Sequence, residues 1–432
     1  MKLTKQILIV IGCILLAGVT WLTAIKRETD VDRQLGFLNT AKEFLKDEVY
    51  IRAVEPLENA ITINAAYTSE AEELLKDTYL HLSAEATYQK KYTDLLEKQM
   101  NRTGTAAFVY EEAAQFYFDC GRSGDAYEAL RNGIEKTADA GLTELYESTR
   151  YAYTLGSRLF PFVSEICNGA ALVQNIDGLW GAADRHGELV IPCAYEKLST
   201  YDGELVILQD GTISAIDGNG FRLALCTAGA IDFGNLGESR IGLKLVDGWA
   251  VANEELKIAP ARLDEIGMFQ NGYAAAKQDG KWGLLSTDTV TWGLDATYDA
   301  IIMDELGRAY SQGTVFVRDG QQVKLMSTAA HIDEVFEDAR PFADGWAAVK
   351  KNGKWGFIDT SGNLMIDYQF DDARSFSGHL AAVKVGELWG YVSLRGEIVI
   401  EPSFCDAKSF YKGSAPVKTE DGWRFLNLTE YK

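Results

Sequence analysis

The chain has 432 residues, 47% apolar and 11% aromatic, enough for two or three ordinary cores and unlike the composition of a disordered protein. Lys and Arg total 42 against 63 Asp and Glu, a formal charge of −21, so nucleic acid is excluded as an expected partner because its phosphates would be repelled. Six cysteines, at 13, 120, 167, 193, 226 and 405, lie far apart without a CxxC pair. That spacing offers neither a zinc site nor a dense disulfide framework, and it leaves the compartment open.

The first element in chain order is apolar. Residues 7–25 read ILIVIGCILLAGVTWLTAI, nineteen positions without a charge, close to the length a helix needs to cross a bilayer. Lys2 and Lys5 precede it, Lys26 and Arg27 follow it, and Trp21 stands where an interfacial aromatic would sit. Residues 1–30 are therefore expected to form a transmembrane signal anchor that places the C-terminal part outside the cell. A cleaved signal peptide ending near Leu22-Thr23-Ala24 is an alternative, as is lipidation at Val10-Ile11-Gly12-Cys13, although the apolar run continues well past Cys13.

From 31 to 156 apolar residues recur at helical spacing, as in Leu35, Leu38, Ala41, Phe44 and Leu45, and Pro56 is the one proline. At 116–130 an aromatic helix end is followed by a glycine turn at Gly121 and by a helix start carrying Ala126 and Ala129. This seam resembles a tetratricopeptide repeat, in which small residues let paired helices approach closely, and the resemblance implies a groove for peptides or partner helices. A plain antiparallel helical bundle is the alternative.

After Gly156 the composition changes, with a boundary expected near 157 and a β-repeat domain over 157–432. Gly178-Leu179-Trp180-Gly181, Gly280-Lys281-Trp282-Gly283, Gly353-Lys354-Trp355-Gly356 and Glu387-Leu388-Trp389-Gly390 share one core, and Trp423 follows Trp389 at the 34-residue interval that separates Trp355 from Trp389. Weaker copies stand at Asp210-Gly211, Asp247-Gly248 and Asp319-Gly320, so eight units are countable. The pattern resembles the bacterial WG-repeat family, whose members look like binding or scaffolding modules.

Each unit reads as three short strands: Trp346 to Lys350, a tight Asn352-Gly353 hairpin, Trp355 to Asp359, then Leu364 to Ile366, with a proline ending the equivalent ladder at Pro192 and Pro402. The glycine after each tryptophan is expected to leave room for another unit. Three short strands cannot bury their own apolar face, so units must stack. The last unit lacks its third strand, and Leu159-Phe160-Pro161 resembles an unattached one. The expected fold is thus multidomain α plus all-β, ending in a propeller-like ring of about eight units closed by residues 157–163 beside Trp423, with an open β-solenoid as the alternative.

The four histidines, His81, His186, His331 and His379, are scattered, and neither a phosphate loop nor a GxSxG motif is present. Asp217-Gly218-Asn219-Gly220 occupies a turn position, and Cys120 reads as buried packing. No catalytic residue, metal or cofactor is assigned, and the chain is not expected to be an enzyme. Trp180, Gly181, Trp282, Gly283, Trp355, Gly356, Trp389, Gly390 and Trp423 read as structural. Phe342, Trp346, Phe376 and Phe410 recur at equivalent positions and are the candidate binding residues, either lining a repeated groove or forming a repeated core layer. The expected function is recognition of an unknown protein, peptide or glycan at the bacterial surface by a chain held to the membrane through residues 7–25. The alternative is a cytoplasm-facing scaffold that docks partners in the helical groove.

Overall fold

The computed structural model describes residues 26–259, 262–327 and 334–431. The expected anchor at 7–25 lies outside the described residues, as does His331. No described helix is long and apolar enough to cross a membrane. The chain divides into two compact units, Met1–Tyr146 and Glu147–Lys432.

The first unit is helical: α1 covers 26–46, followed by α2 (Tyr50–Ile63), α3 (Thr68–His81), α4 (Ala86–Met100), α5 (Ala107–Asp119), α6 (Ser123–Thr137) and α7 (Ala140–Thr149). Short links make successive helices antiparallel neighbours around a core that includes Leu57, Tyr92, Tyr110, Tyr127 and Leu130. Ala126 and Ala129 are buried in the seam between α5 and α6, as their size suggested. Gly133 completes that seam, because a Cβ there would lie 2.7 Å from Tyr110. Buried Gln34 ties α1 to the turn ahead of α3, donating to the Ala60 carbonyl (2.9 Å) and accepting from the Tyr67 amide (2.7 Å). Cys120 caps α5 half-buried, its Sγ accepting from Gln89 Nε2 at 3.0 Å.

The second unit is a ring of eight antiparallel blades. In blade 6 the strands are Asp338–Ala339, Trp346–Lys351, Lys354–Asp359 and Leu364–Phe370, hydrogen-bonded in that order. The repeat therefore has four strands and not three. The extra one is a two-residue innermost strand, too short to show alternation in a sequence. Asn352 (φ 53°) and Gly353 (φ 78°) make the expected hairpin, whose positive φ angles suit the twist of the flanking strands.

The ring closes at its ends. Blade 8 takes Asp406–Ala407, Ser414–Thr419 and Gly422–Leu428 from the C-terminus and its outer strand, Tyr153–Leu155, from before blade 1. Phe160 and Trp423 exchange backbone hydrogen bonds of 3.0 and 2.9 Å, so the closure expected from Leu159-Phe160-Pro161 is present. Because Tyr153–Leu155 belongs to the ring, the β unit begins ahead of the compositional boundary at 157.

The glycine of the Trp-Gly pair serves its own blade. A Cβ on Gly356 would lie 2.7 Å from the Ile366 carbonyl oxygen, and one on Gly181 would lie 2.6 Å from that of Ile191. In both blades the outer strand shifts register opposite the glycine, a bulge that brings its backbone over the missing side chain. Pro192 and Pro402 sit within such bulged strands, Leu189–Tyr195 and Ile398–Phe404, so proline does not end the ladder: an edge-strand bulge needs no donor there.

Candidate functional site

The loops joining the first and second strands of all eight blades converge on a cavity of about 890 Å³. That volume is in the range of small-molecule sites. Its walls are mostly polar, because the position that points inward from each loop is used to tie one blade to the next. Asn168 Nδ2 donates to Asp202 Oδ1 (3.1 Å), Asp202 Oδ2 accepts from the Ser239 amide (3.2 Å), and Glu238 accepts from the Gly272 amide (3.0 Å). In blade 6 the equivalent residue, Asp344, accepts from the Gly378 amide at 2.6 Å. Each contact joins neighbouring blades, so the acids that line this cavity are positioned by the ring itself.

Blade 5 departs from this plan. Its loop runs over 302–313, twelve residues, where blade 6 uses the six residues 340–345. The extra length forms a hairpin across the cavity, held within itself by Asp304. The Asp304 carboxylate accepts from the Leu306 and Arg308 amides (3.0 and 2.9 Å) and from Arg308 Nε (2.5 Å). Its tip is anchored on other blades: Asn235 donates to the Leu306 carbonyl (2.9 Å), the Met268 amide donates to that of Gly307 (2.9 Å), and Leu306 packs with Cys167 and Met268.

From this hairpin Glu305 reaches the far side of the ring. It accepts from Arg374 Nη1 of blade 7 at 2.5 Å and from Lys408 Nζ of blade 8. The two cations belong to a belt, Arg340, Arg374 and Lys408, in which each lies over the tryptophan of its own blade, at 4.4, 5.3 and 5.1 Å from the centroids of Trp355, Trp389 and Trp423. Arg340 and Arg374 also reach the next blade's aspartate, Asp372 at 3.3 Å and Asp406 at 3.2 Å. At the seam from blade 8 to blade 1 the aspartate's place is taken by Phe162, and Glu305 supplies the acid for Lys408.

Glu165 completes the cluster from blade 1, accepting from the Ser409 amide at 3.0 Å with Arg374 Nη1 at 3.9 Å. Burial pushes its carboxyl above the usual value, against the pull of Arg374 and Lys408. For Glu305 burial acts in the same direction, but Arg374 and Lys408 outweigh it and hold the carboxyl below the usual value. Burial likewise raises the Cys167 thiol.

Of the four aromatic candidates, Phe342, Phe376 and Phe410 contribute to the cavity wall while also packing between blades. Phe376 and Phe410 are buried between blades, edge-on to Phe357 (4.8 Å) and Tyr391 (4.6 Å), Phe342 stacks on Phe316, and Trp346 is half-buried against Phe376. The charged side chains on the cavity wall include Glu165, Glu305, Arg308 and Arg374 beside the blade-tying acids, and the sequence pattern singled out none of them. A signal was available: aligning the repeats exposes the doubled loop before Thr314. Trp282, Trp355, Trp389 and Trp423 are buried and Trp180 is half-buried. His81 stacks on Tyr50, whereas His186 and His379 lie at exposed loops. Among the described residues no group of three His, Cys, Asp or Glu side chains is arranged to hold a metal ion. Asp217 caps its own turn, accepting from the Asn219 and Phe221 amides at 2.9 Å.

The family model of the WG containing repeat matches residues 180–211, 253–282, 334–355, 355–389 and 389–423, so the C-terminal region carries this repeat. No curated protein matches the chain. Among solved structures, PorZ, a surface component of the type-IX secretion system of Porphyromonas gingivalis, is 12% identical with a TM-score of 0.34. The match covers 64% of this chain and 46% of PorZ, so the chain spans less than half of that protein's length. Hsv2 of Kluyveromyces lactis is 10% identical over 63% of this chain and 98% of its own, at a TM-score of 0.36. A eukaryotic initiation factor is 9% identical over 66% and 88%, at 0.40. These likenesses are distant, and the ring rests on its own strand pairing.

Proposed function

We propose that this WG-repeat ring is a binding module, held to a bacterial membrane through residues 7–25 and presented outside the cell, that recognises a glycan, peptide or protein segment at its central cavity. The observation that carries the reading is the cavity itself: about 890 Å³, polar, and built from the inner loops of all eight blades. A ring places eight equivalent positions around one space, and blade-to-blade hydrogen bonds preorganise the groups there, which lowers the ordering cost of binding. The helical unit then serves as spacer or second docking surface, and its tetratricopeptide-like seam between α5 and α6 suits a peptide groove.

The test is equilibrium binding of a glycan and peptide panel to the full chain in detergent micelles and to Gln270→Trp, which places a large ring at the cavity wall. Binding that falls at least about tenfold in Gln270→Trp supports the cavity, and binding indifferent to the substitution rejects it. Orientation is tested separately, by protease digestion of a C-terminal tag on intact cells. Digestion supports surface presentation, whereas protection until lysis favours a cytoplasm-facing scaffold.

A further inference from the structure

The cluster around Glu305 is built the way a protein builds a site for a bound anion. Its cations are buried, with the Lys408 side chain 5% and the Arg374 side chain 15% exposed, while the acid they hold is 40% exposed and faces the cavity. The cations come from the repeat scaffold, at equivalent positions of adjacent blades, whereas the acid comes from a hairpin found in blade 5 alone among the eight. Arg374 already has an acid of its own: Nη2 serves Asp406, and Nη1 is turned toward the cavity.

Resting on the reading of the cavity as a ligand site, we propose that Arg374 and Lys408 form a carboxylate subsite, that Glu305 occupies it as an internal stand-in, and that the ligand displacing Glu305 is an acidic sugar, a uronate. Rotation of the half-exposed Glu305 side chain into water frees both cations without moving the hairpin, whose fold depends on Asp304, Asn235 and Met268. The charge of the ligand follows from the surroundings. With Glu165 3.9 Å from Arg374 Nη1, and Asp304, Asp372 and Glu238 on the walls, a monoanion is accepted where a phosphate dianion meets excess repulsion. Hydroxyls suit the remainder of the ligand, because the opposite wall carries Asp202, Glu238 and Gln270, and the carboxylate lone pairs not used between blades can accept from such hydroxyls.

An internal competitor lowers apparent affinity by the fraction of time the subsite is free. Removing its charge should therefore tighten binding of the external carboxylate. The experiment compares D-glucuronate with D-glucose, its neutral counterpart, by calorimetry on the full chain in micelles. Glu305→Gln is expected to bind glucuronate about tenfold more tightly than the parent, with glucose unchanged, and adding Lys408→Met should abolish the gain. Glu305→Asp, which keeps the charge but shortens the reach, gives a smaller gain and guards against loss of fold in the first variant. Equal glucuronate affinity in the parent and both variants, or a gain shared by glucose, overturns the subsite. Preference for a peptide's free C-terminal carboxylate over its amide, without response to glucuronate, overturns the sugar. Either failure leaves the wider reading standing as long as Gln270→Trp still blocks another ligand, and loss of that effect rejects both.

Discussion

Blades 1, 4, 6 and 7 have glycine after the core residue of the third strand, at Gly181, Gly283, Gly356 and Gly390, and each has a seven-residue outer strand. Blades 2, 3, 5 and 8 have Ser214, Ala250, Lys324 and Arg424 there instead. Among the described residues their outer strands are four residues, isolated bridges, two residues and the three of Tyr153–Leu155. Continuity accompanies clearance. Where no Cβ blocks it, the outer backbone folds inward through a bulge and pairs as one continuous strand; in blades 3 and 8, where one is present, pairing with the core tryptophan persists as the isolated bridges Trp249–Leu263 and Phe160–Trp423. The tryptophan does not by itself give the continuous outer strand, since Trp249 and Trp423 stand in blades that lack it.

The largest effect that would sharpen this comparison is on packing. Trp355→Ala empties a fully buried indole and removes the ring under Arg340, and is expected to destabilise the ring by about 3–5 kcal/mol. A denaturant midpoint close to the parent's would show that the repeat does not rely on that ring. Gly356→Ala should cost about 1–3 kcal/mol, because the new Cβ meets backbone and cannot be relieved by a rotamer change. Its control is Ser214→Gly in blade 2, where the position needs no clearance and the loss should stay below about 1 kcal/mol, from chain entropy alone. Equal losses at the two sites would break the clearance argument.

A smaller effect separates the two acids of the cluster by sign. The depressed Glu305 carboxyl contributes stability above the unfolded value of about 4.3, which is lost as pH falls through its lower folded value. Glu305→Gln should thus cost about 1 kcal/mol at pH 7, after allowing for the exposure of Glu305, and less at pH 4. The raised Glu165 carboxyl behaves oppositely, withdrawing stability as pH rises from about 4.3 through its folded value. Glu165→Gln should therefore fare better relative to the parent at pH 8 than at pH 4. Thermal melts of both variants across that range would read the difference, and parallel profiles would reject the opposing shifts.

Much of the ring was legible in the residues. The 34-residue interval, the Asn352-Gly353 hairpin and the unattached Leu159-Phe160-Pro161 segment together specify eight units and where they close, because turn chemistry and strand alternation are local and recur. The innermost strand was illegible, since two residues carry no period, and the glycine was assigned to the wrong neighbour because the bulge opposite it has no sequence mark. The cavity was the least legible part. Phe342, Phe376 and Phe410 drew attention by recurring, and they pack between blades and border the cavity at once, so recurrence alone does not separate core from site. What distinguishes the site is the non-recurring hairpin at Met303–Arg308, and even aligned repeats would show only its length.

The sequence by itself determined the units and their turns, set by interactions within a few tens of residues, and it marked the closing segment by the strand missing from the last unit. Only the tertiary structure decided that Glu305 meets Arg374 and Lys408, 69 and 103 residues away, and that Glu165 meets Ser409 across 244. Those meetings depend on the ring's curvature bringing eight loops to one centre, a property of the closed array and of no single repeat.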